Sequence, residues 1–263
     1  MKLKQETQSK SFFDSVEEGD LQEVLKYLKR DPSCLFLRND YQETALHRAA
    51  LLGNIKLVML LKNNQNIQME DIFGFTPFAR AAMSGHRDLL PFLGNLTDTP
   101  DKNGSTPLMW ACARHHSDVI SYLLKVGGNI DHRNLFGMTA LSECALRGYT
   151  HLCQVLLENG AIIDIPDNHL QTPLHKALWK QYPETAYYLL DSGADADFAD
   201  ENGFTPIMWA SKWGFEEVVK ILIEKGANVH QTSIRGQSAL MEAANRGHVN
   251  ILKILESITC SSC

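Results

Sequence analysis

No stretch of this sequence is apolar for long enough to span a bilayer, and its first ten residues, MKLKQETQSK, lack the apolar core of a secretory signal. There is no surplus of positive charge either. Lys and Arg number 25 against 31 Asp and Glu, and the net charge of −6 excludes a global field that recruits nucleic acid. The six cysteines are scattered rather than framework-spaced, which with no secretory signal implies free thiols in a reducing compartment. A phosphate-cradling glycine loop, a nucleophile elbow and a Cys–His nucleophile pair are all missing, so neither catalysis nor a cofactor is expected. His115, His116 and His132 have no carboxylate or cysteine at ligand spacing, so no metal is expected. What is present is an ordinary globular composition, 44% hydrophobic and 21% charged, enough to bury a core.

The chain repeats itself. The string Thr-Pro/Ala-apolar occurs as TALH at Thr44, TPFA at Thr76, TPLM at Thr106, TALS at Thr139, TPLH at Thr172 and TPIM at Thr205, with SALM at Ser238. The spacings are 32 and 30, then 33 four times, a period too regular for chance. Each unit reads as a turn, a short helix, a break and a second helix. In the fourth unit DKNG forms the turn, with Gly104 supplying a positive φ. Thr106 is then the N-cap and Pro107 the first helical residue. A glycine commonly breaks the chain between the helices, and the second helix carries apolar residues at helical spacing, as in Val218, Val219, Ile221 and Leu222. Gly-Ala pairs such as Gly226-Ala227 stop it.

The string DENGFTPIMWASKWGFEEVVKILIEKGAN, Asp200 to Asn228, closely resembles the ankyrin repeat family. The resemblance covers about residues 11–258. It implies an all-α fold, an ankyrin-repeat solenoid of about eight helix–turn–helix units with β-hairpin fingers. The units fall at 11–38, 39–70, 71–100, 101–133, 134–166, 167–199, 200–232 and 233–258. Residues 1–10 and 259–263 are expected to be mobile ends. Two units depart from the pattern. The third is short and carries Pro91 in its second helix; the sixth has Leu170 and Gln181 where glycines are expected. Altered curvature is expected at both.

Function is sought at positions whose chemistry varies between units. The residue after the TPLH slot is Arg48, Arg80, Trp110, Glu143, Lys176, Trp209 and Glu242 in turn. Charge at five of seven implies a solvent-facing register, with Trp110 and Trp209 facing outward as well. Trp179 and Trp213 occupy other variable first-helix slots, which the resemblance places on a concave surface. Phe73, Phe75, Phe136, Met138 and Phe204 lie in the finger segments beside them. A solvent-facing aromatic cluster of this kind signals a covered interface. Arg114, Arg147, Lys180 and Arg246 share one register, with Lys212 adjoining it, and form a basic ladder; Arg80 adds to the cations.

These readings imply a non-enzymatic protein–protein interaction module, an adaptor, scaffold or inhibitor. It is expected as a monomer that holds a peptide-like segment of a partner in its groove. Units four to six are similar to ankyrin adaptors that bind short Pro/Leu-containing linear motifs. The alternative is a single-stranded oligonucleotide or nucleotide held by the Trp, Arg and Lys face. His47 and His175 are assigned a structural role within the turns. The C-terminal CSSC is a poor match to a prenylation motif, which would modify Cys260. The expected location is the cytosol, with the nucleus, or a host cell for a bacterial source, as alternatives.

Overall fold

The computed structural model describes residues 11–261. Residues 1–10, 262 and 263 lie outside the described residues, as do the side chains of 259–261, so the Cys260 reading falls outside them. The chain divides into two compact units, residues 1–135 and 136–263.

The first unit stacks α1 (11–17), α2 (Leu21–Arg30), α3 (Ala45–Leu51), α4 (Ile55–Leu61), α5 (Pro77–Met83), α6 (Pro107–Ala113) and α7 (Ser117–Lys125). The second stacks α8 (Ala140–Leu146), α9 (Thr150–Glu158), α10 (Pro173–Trp179), α11 (Pro183–Asp191), α12 (Pro206–Trp213), α13 (Glu216–Glu224), α14 (Ala239–Arg246) and α15 (Val249–Ser261). The last helix therefore runs three residues past the expected end at Ile258.

Helices of seven to nine residues are marginal alone, so packing holds them. First helices pack on first helices, α3 on α5 and α5 on α6 in the first unit, α8 on α10, α10 on α12 and α12 on α14 in the second. Alanines and cysteines at the contacts, such as Ala111, Cys112, Cys144 and Ala145, are fully buried and permit close approach. Threonine caps start these helices. The Thr76 Oγ1 accepts from the N–H of Ala79 at 3.2 Å, and Thr106 Oγ1 from Met109 at 3.4 Å.

The breaks between helices have a purpose beyond the turn itself. Gly53 has φ 73°, and a Cβ there would lie 2.5 Å from the His86 ring. That ring fills the space and its Nε2 bonds the carbonyl of Leu51 at 2.9 Å. His116 and His248 do the same to Met83 and Lys212, at 3.0 and 3.2 Å. These histidines join neighbouring repeats.

The fingers are shorter than the expected β-hairpins. The only bridge among the described residues is Thr232 with Ser238. A finger is instead a tight turn closed by two backbone hydrogen bonds, as from Asp101 N–H to Ser105 O at 3.0 Å and from Gly104 N–H to Asp101 O at 2.9 Å. Successive fingers are joined likewise. Lys102 N–H donates to Phe73 O at 2.9 Å in the first unit, and Glu201 N–H to His169 O at 3.1 Å in the second.

The two irregular repeats differ in what they change. In the third, the second helix is a 3-10 helix, Arg87–Phe92, because Pro91 sits inside it. The sixth keeps both α-helices; Leu170 (φ 57°) and Gln181 (φ 63°) adopt the left-handed backbone that glycine supplies elsewhere.

Candidate functional site

Each finger begins with a side chain that ties the turn to itself. The Asp71 Oδ1 accepts the N–H groups of Phe73 and Phe75 at 2.8 and 3.0 Å. Asp101, Asp167 and Asp200 repeat this on the residues two and four ahead. The second oxygen, Oδ2, remains for a donor nine residues on.

That donor is the register the sequence reading placed in solvent, and the structure corrects it. The Arg80 Nε donates to Asp71 Oδ2 at 2.8 Å, and its guanidinium pairs with Glu43 at 3.3 Å. It also stacks 4.6 Å from the buried Phe75 ring. Lys176, 6% exposed, donates to Asp167 Oδ2 and, at 2.8 Å, to Gln171 Oε1. Burial alone would raise the Asp167 carboxyl. The hydrogen bonds from Lys176 and from the Gln171 and His169 N–H groups outweigh it and hold the group below its usual range. The Trp110 Nε1 donates to Asp101 Oδ2 at 3.0 Å, with its ring edge-on to Phe75 at 5.4 Å. Charge misled as a sign of exposure because Arg80 and Lys176 each have a fixed internal partner. Phe75, Met138 and Phe204 are buried beneath this register rather than presented at finger tips; Phe73 and Phe136 are exposed.

The histidines of the TPLH slot complete the tie. His47 Nδ1 accepts from the Thr44 N–H at 3.1 Å, and its Nε2–H donates to Phe75 O at 3.0 Å. His175 repeats this between Thr172 and Phe204 O. Burial pushes His47 down to about 4 and lowers His175 in the same direction.

α12 departs from this pattern. The Trp209 Nε1 is buried with no hydrogen-bond partner and does not take up Asp200 Oδ2. Trp213 Nε1, Thr205 Oγ1 and Ser211 Oγ are also buried and unpaired. Six buried side-chain atoms among the described residues lack a partner, and four of them belong to this helix and its cap. Such groups are few in native folds, and a concentration on one short helix calls for an explanation. Around it, the Lys212 Nζ lies 4.8 Å from the Trp209 ring, 5.5 Å from Phe204 and 5.7 Å from Trp213. The Arg246 guanidinium lies 5.6 Å from Trp213.

The other expected site residues are dispersed. Trp179 is exposed, with the Lys180 Nζ 4.2 Å from its ring. Arg147 is paired with Glu143 on its own helix, and Arg114 is an exposed cation of the first unit. What the sequence reading missed is the set of carboxylates, Asp71, Asp101, Asp167 and Asp200 in the fingers, with Glu43 and Glu242. The Asp-to-donor spacing of nine, realised three times, was the available signal.

The side chains bring together no group of three or more His, Cys, Asp or Glu able to hold a metal, and no helix is long and apolar enough to cross a membrane, both among the described residues. Cys112, Cys144 and Cys153 are buried, and burial pushes the Cys153 thiol well above its usual range.

The family described as Ankyrin repeats (3 copies) matches this chain in overlapping segments, 12–99, 57–134, 88–167, 126–199 and 174–260. Protein phosphatase 1 regulatory subunit 27 of Homo sapiens is 39% identical over 100 residues, covering 36% of this chain and 65% of that protein. SH3 and multiple ankyrin repeat domains protein 2 of Homo sapiens is 32% identical over 130 residues, 48% of this chain and 7% of the relative. Notch-regulated ankyrin repeat-containing protein of Homo sapiens is 33% identical over 86 residues, 31% of this chain and 75% of the relative. The chain thus spans less than two thirds of the first two relatives' length. Ankyrin repeats bind other proteins.

Proposed function

Because this chain belongs to the ankyrin repeat family, we propose that it is a non-enzymatic interaction module, an adaptor, scaffold or inhibitor, that holds a peptide-like segment of a partner protein across the first-helix face around α12. The observation that carries the reading is the concentration of unpaired buried donors on α12, beside Trp209, Lys212 and Trp213. Tryptophan and arginine are the side chains that anchor protein interfaces.

A single-stranded nucleic acid is the weaker reading. Stacked bases need bare aromatic faces, whereas a cation already lies against Trp179, Trp209 and Trp213. The net charge of −6 supports the same preference.

The test is a peptide-display selection run in parallel on the wild-type chain and on Trp209→Ala/Trp213→Ala, each shown folded by circular dichroism. Peptides enriched by the wild type and lost by the variant support recognition at α12. Equal enrichment by both proteins, or none by either, overturns it. Salt dependence separates the two ligand classes, because a nucleic acid loses affinity steeply as salt rises.

A further inference from the structure

The seventh repeat has the finger carboxylate of the others without its donor. In the third and sixth repeats, Asp71 and Asp167 hold the cations Arg80 and Lys176. In the fourth, Asp101 holds the Trp110 N–H. Asp200 occupies the same position and is 4% exposed, but only its Oδ1 is engaged, by Asn202 and Phe204 N–H groups. The indole nitrogen of Trp209 is buried without a partner.

The next repeat adds a second carboxylate. Glu242, on α14, is also 4% exposed, and its side chain makes no hydrogen bond or ion pair. Both acids line one cleft of about 320 Å³ with Asn202, Phe204, Trp209 and Gln237. A carboxylate taken from water without a counter-charge is costly, so an almost fully buried, unpaired Glu facing an open cleft is a site awaiting a cation. Lys212 and Arg235 line the same cleft and form no ion pair with either acid.

The protein itself displays the fitting occupant. Arg80 lies between two acids, Asp71 and Glu43, with its guanidinium 4.6 Å from Phe75. Phe75 and Phe204 hold the same place in their repeats, directly before the capping threonines Thr76 and Thr205. We infer that the cleft between the seventh and eighth repeats is a receptor for a guanidinium or ammonium side chain, an Arg or Lys presented by the partner, which makes between molecules the contact that Arg80 makes within this one. A planar guanidinium suits a site with two carboxylates and an aromatic wall, so Arg is favoured over Lys. The inference rests on the interaction reading above and sharpens it: the bound segment carries a basic residue at a fixed position.

Two measurements test it. In peptide display, the wild-type chain is expected to select sequences with an invariant Arg or Lys, and their affinity is expected to fall about tenfold or more on Glu242→Gln. Peptides lost on Trp209→Ala/Trp213→Ala but without a fixed basic residue, or unaffected by Glu242→Gln, overturn the cation site while leaving the interaction reading intact. The second measurement needs no partner peptide and no variant. The full chain, labelled with 15N, is titrated with N-acetyl-arginine methylamide and with its neutral citrulline counterpart. Shifts at the Trp209 indole N–H and the α14 amides with arginine alone support the site, even where display yields nothing. Equal shifts with both compounds, or none with either, overturn it.

Discussion

The sixth and seventh repeats share a finger, a threonine cap and a proline-initiated first helix, and they differ at the residue that closes the finger onto the helix. Lys176 meets Asp167 and Gln171 and is buried doing so. Trp209 leaves Asp200 Oδ2 without a donor and buries its own nitrogen unpaired. The sixth repeat matches its finger carboxylate with Lys176; the seventh holds buried polar groups with no partner. Under the proposed function, stability and recognition fall to adjacent repeats of one unit.

The largest effect is expected where the closed repeat is opened. Lys176→Met leaves the Asp167 carboxylate buried without its counter-charge and is expected to cost about 3 to 5 kcal/mol in urea denaturation. A loss below about 1 kcal/mol would show that the Asp167–Lys176 tie is no more than a surface ion pair. Acid provides the next probe. His47 has a folded value of about 4 against 6.5 in the unfolded chain, so the unfolded state binds the proton more readily. Stability is therefore full above pH 6.5 and falls as the pH drops toward 4, by about 3 kcal/mol from this residue. His175 is lowered in the same sense, whereas the seventh repeat has Met208 at that slot and contributes nothing in this window. Replacing His175 by Met is expected to flatten the pH dependence of unfolding below pH 6.5 while lowering stability at neutral pH, since Thr172 N–H and Phe204 O lose their partner.

The backbone contrast reverses the sign. Leu170 holds a φ of 57° where the seventh repeat has Gly203. Leu170→Gly is expected to stabilise the chain by about 1 kcal/mol by relieving the left-handed strain. Gly203→Ala is expected to destabilise it, because the new Cβ would meet Ile234 N at 3.1 Å. Thermal melts of the two variants should move in opposite directions.

The period of 33, the helix pairs and the structural histidines were legible because each depends on local chemistry repeated in sequence: a capping Thr-Pro, a break glycine, a ring that fills its space. The direction of the register after TPLH was not. Charge reports solvent only where nothing inside the protein answers it, and the answering groups, Asp71 and Asp167, lie nine residues earlier in a turn. The same oversight placed Trp110 with Trp209. The two strings, TPLMWA and TPIMWA, are nearly identical. Only the side-chain geometry separates an indole bonded to Asp101 from one with no partner.

That pair gives the smallest effect and the finest test of the comparison. Phenylalanine keeps most of the ring and removes the N–H. At Trp110 this strips Asp101 Oδ2 of its donor and is expected to cost about 1 kcal/mol. At Trp209 it deletes a buried donor that has no acceptor, and stability is expected to stay level or rise by less than about 1 kcal/mol. Chemical denaturation of both single variants and the double variant reads the difference directly. Equal losses at the two sites would mean that the Trp209 nitrogen is satisfied in solution, by water or by Asp200, and the distinction between the closed and open fingers would fail. A loss confined to Trp110→Phe, with peptide binding weakened only by Trp209→Phe, would place stability on one indole and recognition on the other.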